Sequence, residues 1–160
     1  ALANQKGPTA LLLTRQNVPV LDRSKFPSAA LVAQGAYVLW QSTPDLPKLI
    51  LIASGSEVHL ALKAASELAK ENLAVRVVSM PSWELFEQQS KKIKNAVLPP
   101  RCKARLAIEA GVSMGWERYV GVKGRVLALN RFGESGPYQA LENKLGFTTE
   151  AVLAAARNLL

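Results

Sequence analysis

The stretch Leu49-Ile50-Leu51-Ile52-Ala53-Ser54-Gly55-Ser56-Glu57-Val58-His59-Leu60-Ala61-Leu62 changes its hydrophobic period in the middle. The first five residues are an unbroken apolar run, as in a strand covered on both faces. Ser54-Gly55-Ser56 is turn chemistry. Beyond it Val58, Ala61, Leu62, Ala65, Leu68 and Ala69 recur at three- and four-residue steps and make one apolar helix face. His59, Lys63, Glu67 and Lys70 lie on the opposite face. A buried strand passing through a tight turn into an amphipathic helix is the first half of a βαβ unit.

Downstream the unit recurs. Val75–Val78 reads as a strand that ends at Met80-Pro81-Ser82, and Ser82 is placed to cap a helix running from Trp83 onward. Arg105–Ile108 is a further strand, ending at Glu109-Ala110-Gly111. A short helix is expected over Gly115–Gly121 and a strand over Val126–Leu129, followed by the polar loop Asn130–Pro137. Two helices close the chain; the last sets Val152, Ala155, Ala156 and Leu159 on one face, with Thr148 as its cap. The alternation predicts a mostly parallel sheet with helices on both faces, a three-layer α/β/α domain.

Upstream the pattern is less regular. Ala36–Trp40 reads as a strand, and Thr43-Pro44-Asp45-Leu46-Pro47 as a turn. That turn is too short for a helical crossover, so the strand is expected to run antiparallel, as a hairpin partner of its successor. Asn17–Ser28, with Pro19 and Pro27, reads as a linker. Thr9–Thr14 has the apolar continuity of another buried strand, and it ends on Arg15-Gln16-Asn17.

Composition narrows the function. The 160 residues are 49% hydrophobic, enough for one domain with a core, or for one domain plus part of another. The start Ala1-Leu2-Ala3 suggests a piece of a longer polypeptide, and a processed start fits equally. No apolar run reaches the roughly 18–20 residues that cross a bilayer, so no membrane association is expected. One cysteine, Cys102, makes an internal disulfide impossible and points to a reducing, cytoplasmic setting. The formal charge of +8 arises from 20 Lys plus Arg against 12 Asp plus Glu, scattered along the chain except for Lys91-Lys92-Ile93-Lys94. Aromatics are 6% and do not interleave with the cations, which argues against nucleic-acid binding. The excess charge serves solubility or attracts phosphorylated small molecules.

Several residues could carry chemistry. Ser54-Gly55-Ser56 sits where a helix N-terminus can receive an anion, but it lacks a P-loop's Lys-Ser/Thr and a dinucleotide fingerprint's spacing. A tight turn with Ser56 as the cap is the better reading. His59 has no companion ligands for a metal and reads as solvated. Cys102 reads as inert, although exposure beside Arg101 and Lys103 would lower its pKa. Glu109, Glu134 and Ser135 fall at carboxyl ends of parallel strands, where open α/β sheets hold ligands, without spelling a reaction. Arg15 has two readings: a surface residue after a strand, or a planar fork of donors for a phosphate ester, oriented by Gln16 and Asn17.

Six blocks in order, "GPTALLLTRQN", "LIASGSEVHLAL", "VRVVSMPSWELFEQQS", "IEAG", "GWERYVG" and "NRFGESGP", resemble the C-terminal part of the transketolase family in its bacterial and plant form. The resemblance implies a mixed five-stranded sheet with one antiparallel edge strand. It divides the chain into the end of a pyrimidine-binding domain (1–17), a linker (18–34) and a C-terminal domain (35–160). It implies a thiamine-diphosphate enzyme moving a two-carbon ketol unit between sugar phosphates in the pentose phosphate and Calvin pathways. Mg2+ or Ca2+ serves as the metal in that family.

By the same resemblance, Leu13-Thr14-Arg15-Gln16 matches the family's Leu-[Ser/Thr]-Arg-Gln, whose arginine grips the sugar phosphate, so Arg15 is the substrate-binding residue. The cofactor-activating glutamate, the metal motif and the substrate histidines belong to upstream domains. This chain is therefore expected to hold no catalytic, cofactor or metal residue, to be inactive alone, and to serve assembly of a homodimer. Its location would be cytoplasmic, or plastidic in a plant. Alternatives are a stand-alone module binding an anionic effector near Ser54–Ser56 and Asn130–Pro137, or a fragment of a relative such as dihydroxyacetone synthase.

Overall fold

The computed structural model describes residues 7–14 and 16–160. Its strands are β1 (Tyr37–Gln41), β2 (Leu49–Ala53), β3 (Val75–Ser79), β4 (Ala104–Glu109) and β5 (Arg125–Ala128). Its helices are α1 (Glu57–Lys70), α2 (Trp83–Glu87), α3 (Lys91–Val97), α4 (Glu117–Val120), α5 (Tyr138–Leu145) and α6 (Thr149–Arg157). A 3-10 helix, Ala29–Gln34, precedes β1.

All five residues of β2 are buried, as its unbroken apolar run requires of a central strand. The sheet order is β1-β3-β2-β4-β5. β2 pairs in parallel with β3 and β4, and β4 with β5. The pleat sends alternate residues of β2 to opposite layers. Leu49, Leu51 and Ala53 pack beneath α1 and α6 with Leu68 and Val152, whereas Ile50 and Ile52 pack against Phe86, Val97 and Trp116 of the other layer. Each large aliphatic side chain buried this way contributes about 1.5–3 kcal/mol.

The antiparallel strand lies elsewhere than a hairpin would put it. β1 pairs with β3, not with its successor β2. The segment from Ser42 to Lys48 passes over the start of β3, where Lys48 N donates to Ala74 O at 2.8 Å. Short connections fix direction, but seven residues reach across the roughly 10 Å of two strand spacings. The antiparallel sense holds and the predicted neighbour does not.

Four other expectations are corrected. Thr9–Thr14 forms no strand; Leu11, Leu12 and Leu13 are 72%, 89% and 79% exposed, because no neighbouring strand offers them a ladder. The helix from Trp83 breaks at Gln88–Ser90 into α2 and α3, each with a serine cap: Ser82 Oγ accepts from Leu85 N, and Ser90 Oγ from Ile93 N. Ser56 occupies the cap position of α1, but its hydroxyl donates to Glu57 Oε1 and caps nothing. On α1 the buried face also includes Leu60 and Ala64, while Leu62 sits at its margin. Thr148 caps α6 as expected, accepting from Ala151 N. Within residues 18–34, Leu21, Phe26 and Leu31 pack on the core.

Candidate functional site at the strand carboxyl ends

The chain leaves β2 through α1 on one face of the sheet, and leaves β4 through α4 on the other. Their carboxyl ends therefore diverge, and a crevice opens between them, the topological switch point where open α/β sheets bind ligands. Gly55 makes the turn out of β2 with φ 51°, a left-handed conformation that costs glycine little. On the other side, the loops after β4 and β5 are fastened together. Leu129 N donates to Gly111 O at 2.8 Å, and Ser113 N to Asn130 Oδ1 at 2.9 Å.

The resulting cleft has a volume of about 760 Å³. Ser54, Ser56 and Glu57 form one wall, Glu109 the floor, and Tyr138 and Glu142 of α5 another wall. Leu11–Thr14 and Gln16 border it as well. Burial pushes the Glu109 carboxyl above the usual range, and the Glu57 carboxylate pushes it further; Trp116 and Ser54 oppose the shift by hydrogen bonding. The cleft thus carries three carboxyl groups, with no Lys or Arg among its described lining residues.

The remaining candidates are not gathered into this cleft. Glu134 is half-buried and bonded to Lys144 and Arg131, which hold its carboxyl below the usual range. Ser135 lines a shallow neighbouring cavity with Gln16 and Tyr138. His59 is half-buried beside the segment Val18–Leu21; burial, then Lys63, lowers its pKa, and so it favours the neutral form. Cys102 is buried, and its thiol pKa is raised chiefly by desolvation although Arg105 and Arg76 pull the other way. Burial and a raised pKa both disfavour the thiolate, and Arg105 and Arg76 are its charged neighbours rather than Arg101 and Lys103. Arg15 lies outside the described residues. Sequence reading missed Glu57, Tyr138 and Glu142; the one available signal was that Glu57 follows the strand-end turn directly.

Residues 35–148 match the transketolase-like TK C-terminal domain family. The chain belongs to that family. It is 49% identical over all 160 residues to the transketolase of Bacillus subtilis, of which it covers 24%. The transketolase C-terminal fold is likewise seen in a crystal structure from Pichia stipitis, in complex with sedoheptulose 7-phosphate. There the identity is 34% and the TM-score 0.78, over 91% of this chain and 20% of that one. A split-gene transketolase described as an inactive β4 tetramer matches 91% of this chain and 48% of its own, with 27% identity and a TM-score of 0.65. The chain therefore spans about a quarter of the length of the curated transketolases it matches.

Among the described residues, no group of three or more His, Cys, Asp or Glu could hold a metal ion. The described lining residues of the acidic cleft include no cation that would meet a diphosphate. No described helix is long and apolar enough to cross a membrane.

Proposed function

We propose that this chain is the C-terminal part of a transketolase, an enzyme that transfers a two-carbon ketol unit between sugar phosphates in the pentose phosphate and Calvin pathways. The observation carrying this reading is an end-to-end likeness to transketolases that are about four times as long. Thiamine diphosphate, with Mg2+ or Ca2+, would be held by upstream domains, and the protein would act as a cytoplasmic homodimer. Residues 1–17 would close the pyrimidine-binding domain, 18–34 would link, and 35–160 would form the C-terminal domain. Arg15 would be the contact to the sugar phosphate.

The chain's own task under this reading is assembly. What supports it is the apolar surface at the carboxyl end of the sheet. Leu11–Leu13, Val112, Met114 and Phe132 are all exposed there, and exposed apolar side chains gathered at one end suit an interaction surface. The inactive tetramer of the split-gene relative supports the view that a C-terminal portion associates without catalysing.

Reconstitution tests the proposal. The chain alone should not convert xylulose 5-phosphate and ribose 5-phosphate. Mixing it with the upstream two-domain polypeptide of a close relative, plus thiamine diphosphate and Mg2+, should restore turnover. Turnover by the chain alone, or none after stable complex formation, would overturn it. The dihydroxyacetone synthase alternative has no observation in its favour.

A further inference from the structure

Charge is unevenly distributed along the fold. Residues 88–108 contain six cations and no acid, and residues 118–133 contain four cations and no acid. The parallel pairing of β4 with β5, Leu106 opposite Arg125, brings the starts of both strands to one end of the sheet. Arg101 and Lys103 lead into β4, and Lys123 and Arg125 lead into β5; all four are exposed. None of the four makes an ion pair with a described residue, whereas Lys70, Lys94, Arg118, Arg131, Lys144 and Arg157 each find a carboxylate.

The two loops bearing these cations are held in place. Arg105 donates from Nη2 to Leu98 O and Pro99 O, from Nε to Cys102 O, and from Nη1 to Tyr119 O at 2.7 Å. One half-buried guanidinium thereby ties the loop before β4 to the end of α4. A Cβ on Gly124 would lie 2.5 Å from Val120 O and 2.7 Å from Arg105 O, so the turn between Lys123 and Arg125 is pressed against the same anchor. Between the loops is a hollow of about 170 Å³, lined by Lys103, Arg105, Val122 and Lys123. It has room for a carboxylate or phosphate group. At its lip Val122 is fully exposed, an apolar side chain surrounded by cations.

We propose that this amino-terminal end of the β4–β5 edge is a docking surface for an acidic, extended protein segment that carries an apolar side chain. In the free chain the four cations have no acidic partner among the described residues; an acidic segment would supply one, adding attraction and steering. Val122 favours a peptide over a bare polyphosphate. No aromatic side chain is exposed beside the hollow to stack a nucleotide base. β5 is also the edge of the sheet, so its outer backbone groups are open to an added strand. The surface lies at the opposite end of the strands from the acidic cleft and does not depend on the proposed transferase reading.

Fluorescence anisotropy with the 160-residue chain and a labelled glutamate-rich peptide containing one leucine tests this. Inorganic polyphosphate, oligo-dT and phosphatidylserine vesicles serve as competitors. We expect saturable peptide binding that weakens with salt and falls at least about tenfold in Lys103→Glu/Lys123→Glu. Lys25→Glu/Lys63→Glu, the same charge change on other exposed positions, should bind nearly as the parent does. Val122→Ser should weaken peptide binding and leave polyphosphate binding unchanged. Equal loss in both double variants, or stronger binding of any competitor than of the peptide, overturns the proposal. So does sedimentation showing that the chain self-associates through Lys103 and Lys123, which would make a second copy the occupant.

Discussion

Ser42 and Val75 exchange two hydrogen bonds: Ser42 N donates to Val75 O at 2.9 Å, and Val75 N donates to Ser42 Oγ at 3.0 Å. The hydroxyl also donates to Leu73 O at 3.1 Å. One small side chain thus completes the β1–β3 ladder at the point where the chain leaves it. Ser42→Ala would orphan the buried amide of Val75, and should cost about 1–3 kcal/mol. Urea unfolding would register this as a lower midpoint with an unchanged slope.

Gly35 is the tightest glycine in the fold. It has φ 78°, and a Cβ there would fall 2.2 Å from Phe86 N and 2.4 Å from Ser82 O. Backbone cannot yield as a flexible side chain can, so Gly35→Ala should destabilise by about 3 kcal/mol or more. Its melting temperature should drop by several degrees, whereas Gly133→Ala, which meets nothing within 4 Å, should change little.

Glu109 has a raised pKa in the folded chain, so the folded state holds its proton to higher pH than the unfolded state does. Its carboxyl therefore opposes folding increasingly as the pH rises above the ordinary glutamate value, in full above its elevated pKa, and has no effect well below both. Glu109→Gln should be more stable relative to the parent at neutral pH than at acid pH. A constant difference across an acid-to-neutral unfolding series would show that the carboxyl is not strained.

Tyr119 sits among Trp83, Phe86 and Trp116, with ring centroids 5.5–6.0 Å from its own. Burial, then the Glu87 carboxylate, pushes its phenol to about 12. Among the described residues the buried hydroxyl makes no hydrogen bond of regular geometry, although Glu87 and Arg118 act on it electrostatically. Tyr119→Phe should thus cost less than about 1 kcal/mol, since the phenol gives up no hydrogen bond of regular geometry. Alkaline absorbance titration should lose its last-ionising tyrosine in that variant.

Under the proposed reading, Arg15→Ala in the complete enzyme should raise KM for phosphorylated sugars by about 10- to 100-fold, matching the roughly 1.5–3 kcal/mol of a charge-assisted contact. Unphosphorylated ketoses should be little affected. Steady-state kinetics on both substrate types decide it, and an equal effect would remove the phosphate role.

Periodicity located the βαβ core because β2 and α1 obey only local rules, two-residue and 3.6-residue steps on a buried surface. It could not name the partner of β1, because seven residues reach either of two strands and the choice rests on distant pairing. Leu11–Leu13 reads as a strand for its apolar continuity, yet a ladder needs a neighbour that local sequence cannot supply. The candidate cleft was half legible. Glu109 follows from its strand end, whereas Tyr138 and Glu142 arrive from a helix some 30 residues later. The Arg105 anchor left no trace in the sequence, since its acceptors are main-chain carbonyls.

The placement of β1 at the far side of β3 also governs the order of events on the ribosome. When β1 leaves the exit tunnel its pairing surface has not yet been made, and more than 30 residues must follow before β3 emerges. The nascent chain must therefore carry Tyr37–Gln41 unpaired while β2, α1 and β3 come together. Closure of that edge is a late event, and a stall in synthesis before Val75 would leave a sticky strand awaiting its mate.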